Sequence, residues 1–520
     1  MRIGVDVGGT NTDAVLMDGK RVVASHKTST TADVSSGIIG ALEHVLTAGE
    51  CKVEDLSTVM IGTTHFTNAI VERKRLLDVA AVRLALPATQ ALPPMIDWPP
   101  DLRDAVGNHT FLVHGGFEFN GTEISSIVES EIRDVALEIE RQGIRSVALT
   151  SVFSPVNGEH ERQAAEILQA EVPGLFVSLS SEIGRIGLLE RENATIMNAC
   201  LSELAVGVVE SFRAALDRLG IHAPFYISQN DGTLMTAGFA ERYPILTFAS
   251  GPTNSMRGGA FLSGAENAVI VDVGGTTCDV GILANGFPRE ASAEVEIANV
   301  RTNFRMPDLI NIGLGGGSLV RSNGEVTVGP DSVGYELTTR SMVFGGDTLT
   351  ATDIAVASGQ ADIGDATLVA GLDANLVTEA LQEIQRIVER GIDKIKTSAD
   401  AVQVVLVGGG TILLGDNLVG AAEIIKPQNA SVANAIGAAI AQAGGEVDQV
   451  FSLEGTSRAE VLEQAREQAI AKAVEAGAQA QTVEIVDVDE IPLTYLPGNA
   501  IRFRVKAVGD LELGSVAATT

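Results

Sequence analysis

Residues 6–13 read DVGGTNTD, and residues 272–279 read DVGGTTCD. Six of the eight positions agree, over a separation wide enough to hold a whole structural unit. Each copy follows an apolar run (Ile3–Val5; Ala268–Val271), and each leads into another, AVLM and VGIL. Strand, Gly-Gly turn, strand is the direct reading, a hairpin with Thr and two Asp at its tip. Two unrelated Gly-Gly turns would not share six positions, so the chain reads as two related lobes facing each other. Between and beyond the hairpins, helical and strand patterns alternate as α/β lobes require. SSGIIGALEHVLTAG is an amphipathic helix, SVALTSVFS a buried strand, and the run from Leu86 to Pro100, with five of the 16 prolines, an irregular excursion. The long helical stretch starting GLLERENATIMNAC is expected to link the lobes. From about Val447 the pattern becomes strand, helix, strand, strand, read as a small α+β appendage rather than a continuation of the lobes. The expected units are 1–187, 188–445 and 446–520.

The length of 520 residues suits three or four units at roughly 100–200 residues each. A hydrophobic content of 45% excludes large-scale disorder. With 36 basic against 67 acidic residues, the formal charge is −31. That charge removes the electrostatic driver for binding nucleic acid or anionic lipid, so neither is expected as a partner. Asp6 interrupts the N-terminal apolar run before a signal peptide could form, and no stretch nears the roughly 18–20 apolar residues of a membrane span. Cys51, Cys200 and Cys278 are odd in number and lack a CxxC pair, so no disulfide framework or zinc site is expected. A cytoplasmic location is the expectation.

A tip rich in Gly and Thr turns several backbone N–H groups toward one point, which suits phosphate, and a Cβ there would collide with phosphate oxygens. Candidate phosphate-binding residues are therefore Gly8, Gly9, Thr10, Asn11 and Thr12, with Gly274, Gly275, Thr276 and Thr277 in the second copy. Asp6 and Asp272 stand at strand ends, where a carboxylate can hold Mg²⁺ directly or through water. Asp13 and Asp279 either position the loop or a second water, or simply cap their turns. A third run, VVLVGGGTILL, puts Gly408, Gly409 and Gly410 after a buried strand, a turn on which a flat ring can stack. It is neither a P-loop nor a GxGxxG fingerprint.

Two DxGGT hairpins, a GGG turn and a following ANAIGAAIA helix resemble the actin/hexokinase/Hsp70 ATPase superfamily. More closely, the chain resembles the hydantoinase/oxoprolinase family, hydantoinase A type. The segments that carry this are VDVGGTNTD, IGTTHFTNAIVER, LLER, QNDGTLMT, SGPTNS, VDVGGTTCDV and DLINIGLGGGS, over about residues 1 to 445. The resemblance implies an α/β, two-lobed actin/hexokinase-like ATPase fold of duplicated ribonuclease H-like lobes, with the small C-terminal unit added. It implies ATP and Mg²⁺ as cofactors, ATP-dependent opening of a cyclic amide or imide, and a homo-oligomer or a separate partner subunit. Family members often carry D-I-H before the glycine run. Here Asp308-Leu309-Ile310 lacks that histidine, which argues against a second divalent metal.

On this reading, Thr63, Thr64, His65, Thr67 and Asn68 gather at a strand-to-helix junction on the substrate side. His65 can hydrogen-bond an imide oxygen or relay a proton; a satisfied histidine beside a capping threonine is the plainer alternative. Asp308, Asn311, Gly315, Gly316, Gly317 and Ser318 form a second group, its glycines able to approach phosphate or substrate and Asp308 able to orient the attacking water. Asp6, Asp272, His65 and Asp308 are thus the candidate catalytic residues. Glu190 and Arg191 match the family's segment, and an interlobe ion pair explains them equally well. No GxSxG elbow or HExxH site is present, and Cys200 and Cys278 read as buried small residues. Two further readings share the scaffold: a small-molecule kinase, and an ATP-driven switch acting on a partner protein.

Overall fold

Alternating apolar side chains make strand β1 of Arg2–Val7 and strand β2 of Asn11–Asp18, paired antiparallel so that Asp6 lies opposite Asp13. The second motif repeats this in β11 (Val269–Val273) and β12 (Cys278–Ala284), where Asp272 lies opposite Asp279. Both turns close alike: Gly8 N–H donates to Asn11 O at 3.0 Å, and Gly274 N–H to Thr277 O at 2.8 Å. The computed structural model describes residues 1–8, 11–29, 34–291, 295–322, 324–493 and 499–511.

Around the first hairpin, β3 (Arg21–Ser29), β4 (Thr58–Thr63) and β9 (Phe225–Ser228) complete the order β3-β2-β1-β4-β9. Around the second, β16 (Leu309–Ile312), β19 (Val402–Val407) and β20 (Ala421–Ile425) complete β16-β12-β11-β19-β20. In each, the first hairpin strand is antiparallel to its partner and parallel to the strand on its other side. The same ribonuclease H-like order is built twice, and the chain has the two-lobed actin/hexokinase-like ATPase fold. Apolar cores lie under each sheet, with Ile3, Val5, Ile61 and Phe212 in one and Val271, Leu406, Ile384 and Ile392 in the other.

A four-stranded parallel sheet is inserted after β4: β5 (Val79–Leu86), β6 (His109–His114), β7 (Ser146–Ser151) and β8 (Phe176–Leu179), in the order β6-β5-β7-β8. The proline-rich excursion follows β5 as turns that lead to a short helix from Pro100. β13 (Phe287–Pro288) extends the second sheet, while β14 (Val295–Ile297) with β15 (Val300–Thr302), and β17 (Ser318–Ser322) with β18 (Val326–Ser332), form two-stranded ribbons.

The strand pairing corrects two parts of the expected segmentation. β9 and β10 (Leu234–Thr236) lie in the stretch assigned to the second lobe, yet they belong to the first sheet. The C-terminal βαββ run comprises β21 (Ala443–Phe451), the Arg458–Glu475 helix, β22 (Glu484–Pro492) and β23 (Ile501–Gly509). It does continue a lobe: β21 pairs with β10 at Leu234–Ala443, and the first sheet grows to nine strands. The physical reason is that β10 alone would leave a sheet edge of unpaired N–H and C=O groups.

The lobes meet where the Ser250–Ser263 helix crosses the Ala433–Ile440 helix, almost backbone to backbone. A Cβ on Gly437 would lie 1.8 Å from Asn254 O, and one on Gly258 would lie 1.9 Å from Ala433 O. Neither backbone oxygen can swing away as a side chain would. Gly437→Ala is therefore expected to destabilise the protein by about 3 kcal/mol or more, an overpacking cost at the upper end of its range. Gly207→Ala, on an open helical face with nothing within 4 Å, should instead stabilise by about 0.5–1 kcal/mol. Paired thermal melts check both; a Gly437→Ala protein that melts like the parent would contradict the crossing.

Candidate active site

The two hairpins, the two crossing helices and the strand ends beside them enclose a cavity of about 150 Å³. Asp6, Asp13 and Asp272 line it with Lys27, Ser255 and Asn434. Each hairpin carboxylate lies over a glycine at the end of the neighbouring parallel strand, Gly62 within β4 and Gly408 one residue past β19: a Cβ on Gly62 would sit 2.2 Å from Asp6 Oδ1, and one on Gly408 would sit 2.2 Å from Asp272 Oδ1. The duplication thus extends past the hairpins to the strand ends that follow.

Asp6 is 5% exposed and Asp13 2%. Asn254 Nδ2 donates to Asp6 Oδ1 at 3.2 Å, and Asn434 Nδ2 donates to Asp6 Oδ2 at 3.1 Å and to Asp13 Oδ2 at 2.7 Å. Lys27 of β3 pairs with Asp13 at 2.7 Å. Burial, and then the Asp13 charge, push Asp6 up to about 6 despite the two amides. Burial also raises Asp272, against a hydrogen bond from Ser255 and the Lys27 charge. Asp279 is pushed up to about 7 by burial and by Asp272, with Asn311 Nδ2 donating to its Oδ1 at 2.7 Å. This pocket concentrates more negative charge than its own cation neutralises.

That imbalance is the test of fit for Mg²⁺. Among the described residues, no three His, Cys, Asp or Glu side chains converge on one point. Asp6 and Asp272 can each give one carboxylate, and Mg²⁺ takes such a sparse protein set when phosphate and water supply its other ligands. The residues present fit the ion.

The strand-to-helix junction adjoins this cavity. Thr64 follows β4, and its N–H and hydroxyl both reach Val7 O at the end of β1, at 3.2 and 3.4 Å. His65 opens the His65–Glu72 helix, with Nδ1 2.5 Å from Thr63 Oγ1. That oxygen also accepts from His65 N–H at 3.3 Å, so Thr63 contacts both the backbone and the ring of His65. Burial, then Arg75, lower the imidazole to about 4. The ring is neutral at physiological pH, with one nitrogen able to donate a hydrogen bond and the other to accept one. Asn68 Nδ2 donates to Thr64 Oγ1 at 3.4 Å, and Thr67 is half-buried on the same helix.

Other expectations change with the geometry. Gly9 and Thr10 lie outside the described residues. Gly8 and Asn11 line the cavity, but Thr12 is wholly buried because strand alternation turns it to the opposite face from Asp13. Gly274 and Gly409 face the cavity, and Gly275, Thr276 and Thr277 are half-buried at the second tip. Gly410 packs beneath that tip, where a Cβ would lie 2.7 Å from Gly274 O. Gly315, Gly316 and Gly317 are buried behind it as a buttress: Gly316 N–H donates to Gly274 O at 3.1 Å and Gly317 N–H to Gly275 O at 2.7 Å. Ser318 is buried and accepts from Gly315 N–H at 2.8 Å, so it closes that turn. Asp308 pairs with Arg289 at 2.5 Å, three residues before Asn311 along the chain, and holds that strand instead of facing the cavity. Arg191 donates to the carbonyls of Ser151, Arg185 and Ile186 and makes no hydrogen bond or ion pair with Glu190 among the described residues. Cys200 and Cys278 are buried, and burial raises both thiols. Asn254, Ser255, Asn434 and Lys27 were not singled out by residue; the small polar residues within SGPTNS and ANAIGAAIA were the only signal for the first three.

Residues 2–172 match the hydantoinase/oxoprolinase N-terminal region, and residues 191–386 match the hydantoinase/oxoprolinase domain that follows it. The chain belongs to the hydantoinase/oxoprolinase family. Among relatives, it is 28% identical to the caprolactamase alpha subunit of Pseudomonas jessenii, over 71% of this chain and 56% of that one. It is 26% identical to the acetophenone carboxylase gamma subunit of Aromatoleum aromaticum, over 69% and 53%. The chain thus spans about half the length of these curated relatives. The solved ATP-dependent caprolactamase of Pseudomonas jessenii shares the fold at a TM-score of 0.79 and 19% identity, over 98% of this chain and 88% of that one. A nucleotide-free acetone carboxylase gives 0.68 and 18%, over 99% and 88%. No described helix is long and apolar enough to cross a membrane.

The raised Asp6 sets a pH dependence. Between the ordinary value of 3.8 and about 6, the folded state holds a proton that the unfolded chain has released, so stability falls as pH rises through that window. Asp6→Asn removes the penalty and is expected to raise stability at pH 8 by about 1–3 kcal/mol, with the gain fading as pH drops from about 6 toward 4. Calorimetric melts across that range check it; a loss of stability at pH 8, or a gain independent of pH, would contradict the charge imbalance.

Proposed function

We propose that this chain is the ATP-using part of an enzyme that opens a cyclic amide or imide by phosphoryl activation of its oxygen, and that it acts with a separate partner subunit. The observation that carries the reading is the convergence of two glycine-turn carboxylate hairpins on one cavity, with a neutral His65 at the adjoining junction. Family membership supports it, as do relatives named caprolactamase and, at 30% identity over 42% of this chain, the 5-oxoprolinase of Saccharomyces cerevisiae. Two relatives are named as subunits, which supports the partner.

An amide resists water because its carbonyl is resonance-stabilised and its nitrogen leaves poorly. When the amide oxygen attacks the γ-phosphorus, ADP leaves and the ring carries an imidate phosphate. Water adds to the ring carbon, the C–N bond breaks as nitrogen takes a proton, and the acyl phosphate then loses phosphate to a second water. Such chemistry asks the protein for positioning and charge stabilisation more than for a nucleophile. Asp6 and Asp272 would hold Mg²⁺, which when bound offsets phosphate charge. The Gly8 and Gly274 turns would seat phosphate oxygens, Gly409 would face the nucleotide base, and His65 would donate a hydrogen bond to the ring carbonyl.

The test is the balance of products over a cyclic-amide panel, with the chain alone and with its partner. We expect ADP, phosphate and ring-opened acid in equal amounts, with oxygen from labelled water in the new carboxylate. His65→Ala should lower ring opening more than it lowers ATP binding. A stable phosphorylated product would replace this reading with a kinase, and product that gains carbon dioxide would replace it with a carboxylase.

A further inference from the structure

A second cavity is larger than the one between the hairpins. It measures about 580 Å³, within the roughly 300–1,000 Å³ typical of small-molecule sites. It opens where the inserted parallel sheet, β21 and the Arg458–Glu475 helix come together. That helix turns two faces to two environments. Val461, Ala465, Ala469 and Ala473 pack into the core beside β21 and β23, while Gln464, Gln468, Lys472 and Glu475 line the cavity at helical spacing. The polar residues therefore face an enclosed space as well as bulk solvent.

For so acidic a protein, the lining is dense in cations. In a chain with formal charge −31, five cations line this cavity against four carboxyl groups. Four of the cations are committed. Arg162 pairs with Glu159 at 2.8 Å, Arg185 with Asp448 at 2.7 Å, Arg242 with Glu182 at 2.8 Å, and Arg305 with Asp231 at 3.2 Å. Lys472 is the fifth, and among the described residues it has no hydrogen-bond or ion-pair partner. Its side chain stands exposed to solvent at the cavity wall. Glu446, Glu182 and Glu475 face it from a distance, and Arg305 opposes it. Glu446 is itself raised by burial and by the adjacent Glu290, which weakens its claim on the lysine. An uncommitted ammonium beside the Gln464 and Gln468 amides in a concave wall offers a set of donors to a carboxylate brought in by a ligand.

We propose that this cavity binds a small organic carboxylate, its carboxylate group held by Lys472 and its polar remainder by the Gln464 and Gln468 amides. The site is separate from the nucleotide cleft, and it connects to it through one turn. Gln229 lines the cavity, and the next residue, Asn230, accepts at its carbonyl from Thr253 Oγ1 at 3.0 Å. Thr253 precedes Asn254, which holds Asp6.

Calorimetric titration of the full chain with glutarate, and with its neutral counterpart glutaramide, tests the site without any turnover. Glutarate should bind saturably at one site per chain, and glutaramide about tenfold more weakly or worse. Lys472→Met should weaken glutarate by about tenfold or more, whereas Lys472→Arg should stay within about threefold. Gln468→Leu, which keeps the volume and removes the amide, should weaken it as well and covers the case of a Lys472 variant that does not fold. Unchanged glutarate affinity in folded Lys472→Met would overturn the proposal. So would the absence of saturable binding by glutarate, succinate and glutamate at millimolar concentration.

Discussion

The close crossing of the Ser250–Ser263 and Ala433–Ile440 helices is the constraint on which the rest of the molecule depends. Because Gly258 and Gly437 let each backbone rest on the other, the two helices approach more closely than any pair with side chains at the contact could. One helix brings Asn254 and Ser255 to the first and second hairpin carboxylates, and the other brings Asn434 to both carboxylates of the first hairpin. Gly4 of β1 joins the same contact, since a Cβ there would lie 2.1 Å from Ala435 O. A change of one methyl group at the crossing would therefore move the groups that hold the charged cluster.

Burying carboxylates opposite one another is costly, and the fold offsets only part of that cost. Two amides, a serine and Lys27 meet Asp6, Asp13 and Asp272, yet Asp6 and Asp279 still lie well above the ordinary carboxylate range. A structural ion-pair network would have been satisfied more completely, as around Asp231, which Lys506 and Arg305 hold at 2.9 and 3.2 Å and keep far below that range. Carboxylates met mostly by neutral donors, with charge left unbalanced between the lobes, suit the binding of a cation with its polyanion.

The hairpins were legible in the sequence because a glycine turn between apolar strands is a local signal, and its repetition carried the two-lobed reading with it. The residues that hold the hairpins were much less so. Lys27 reaches Asp13 through a strand pairing, and Asn434 is 428 residues from Asp6, so nothing near either aspartate announces them. Thr12 reads as a cleft residue from the motif alone, because motif spacing does not show which face a strand residue takes. Asp308 sits in a recognisable segment, and only tertiary structure reveals that Arg289 occupies its carboxylate. The C-terminal strands looked separate because their local pattern changes, while the sheet edge they cover is set by β10, about 200 residues earlier along the chain.

The central claim is that the two hairpins act on one Mg-ATP site. Calorimetric binding of Mg-ATP to the parent chain, Asp6→Asn, Asp272→Asn and the double variant tests it most directly. The account predicts one site per chain, weakened in each single variant, with a double-variant effect clearly different from the sum of the two. Parent-like affinity in either folded single variant, or strictly additive losses, would contradict a shared site.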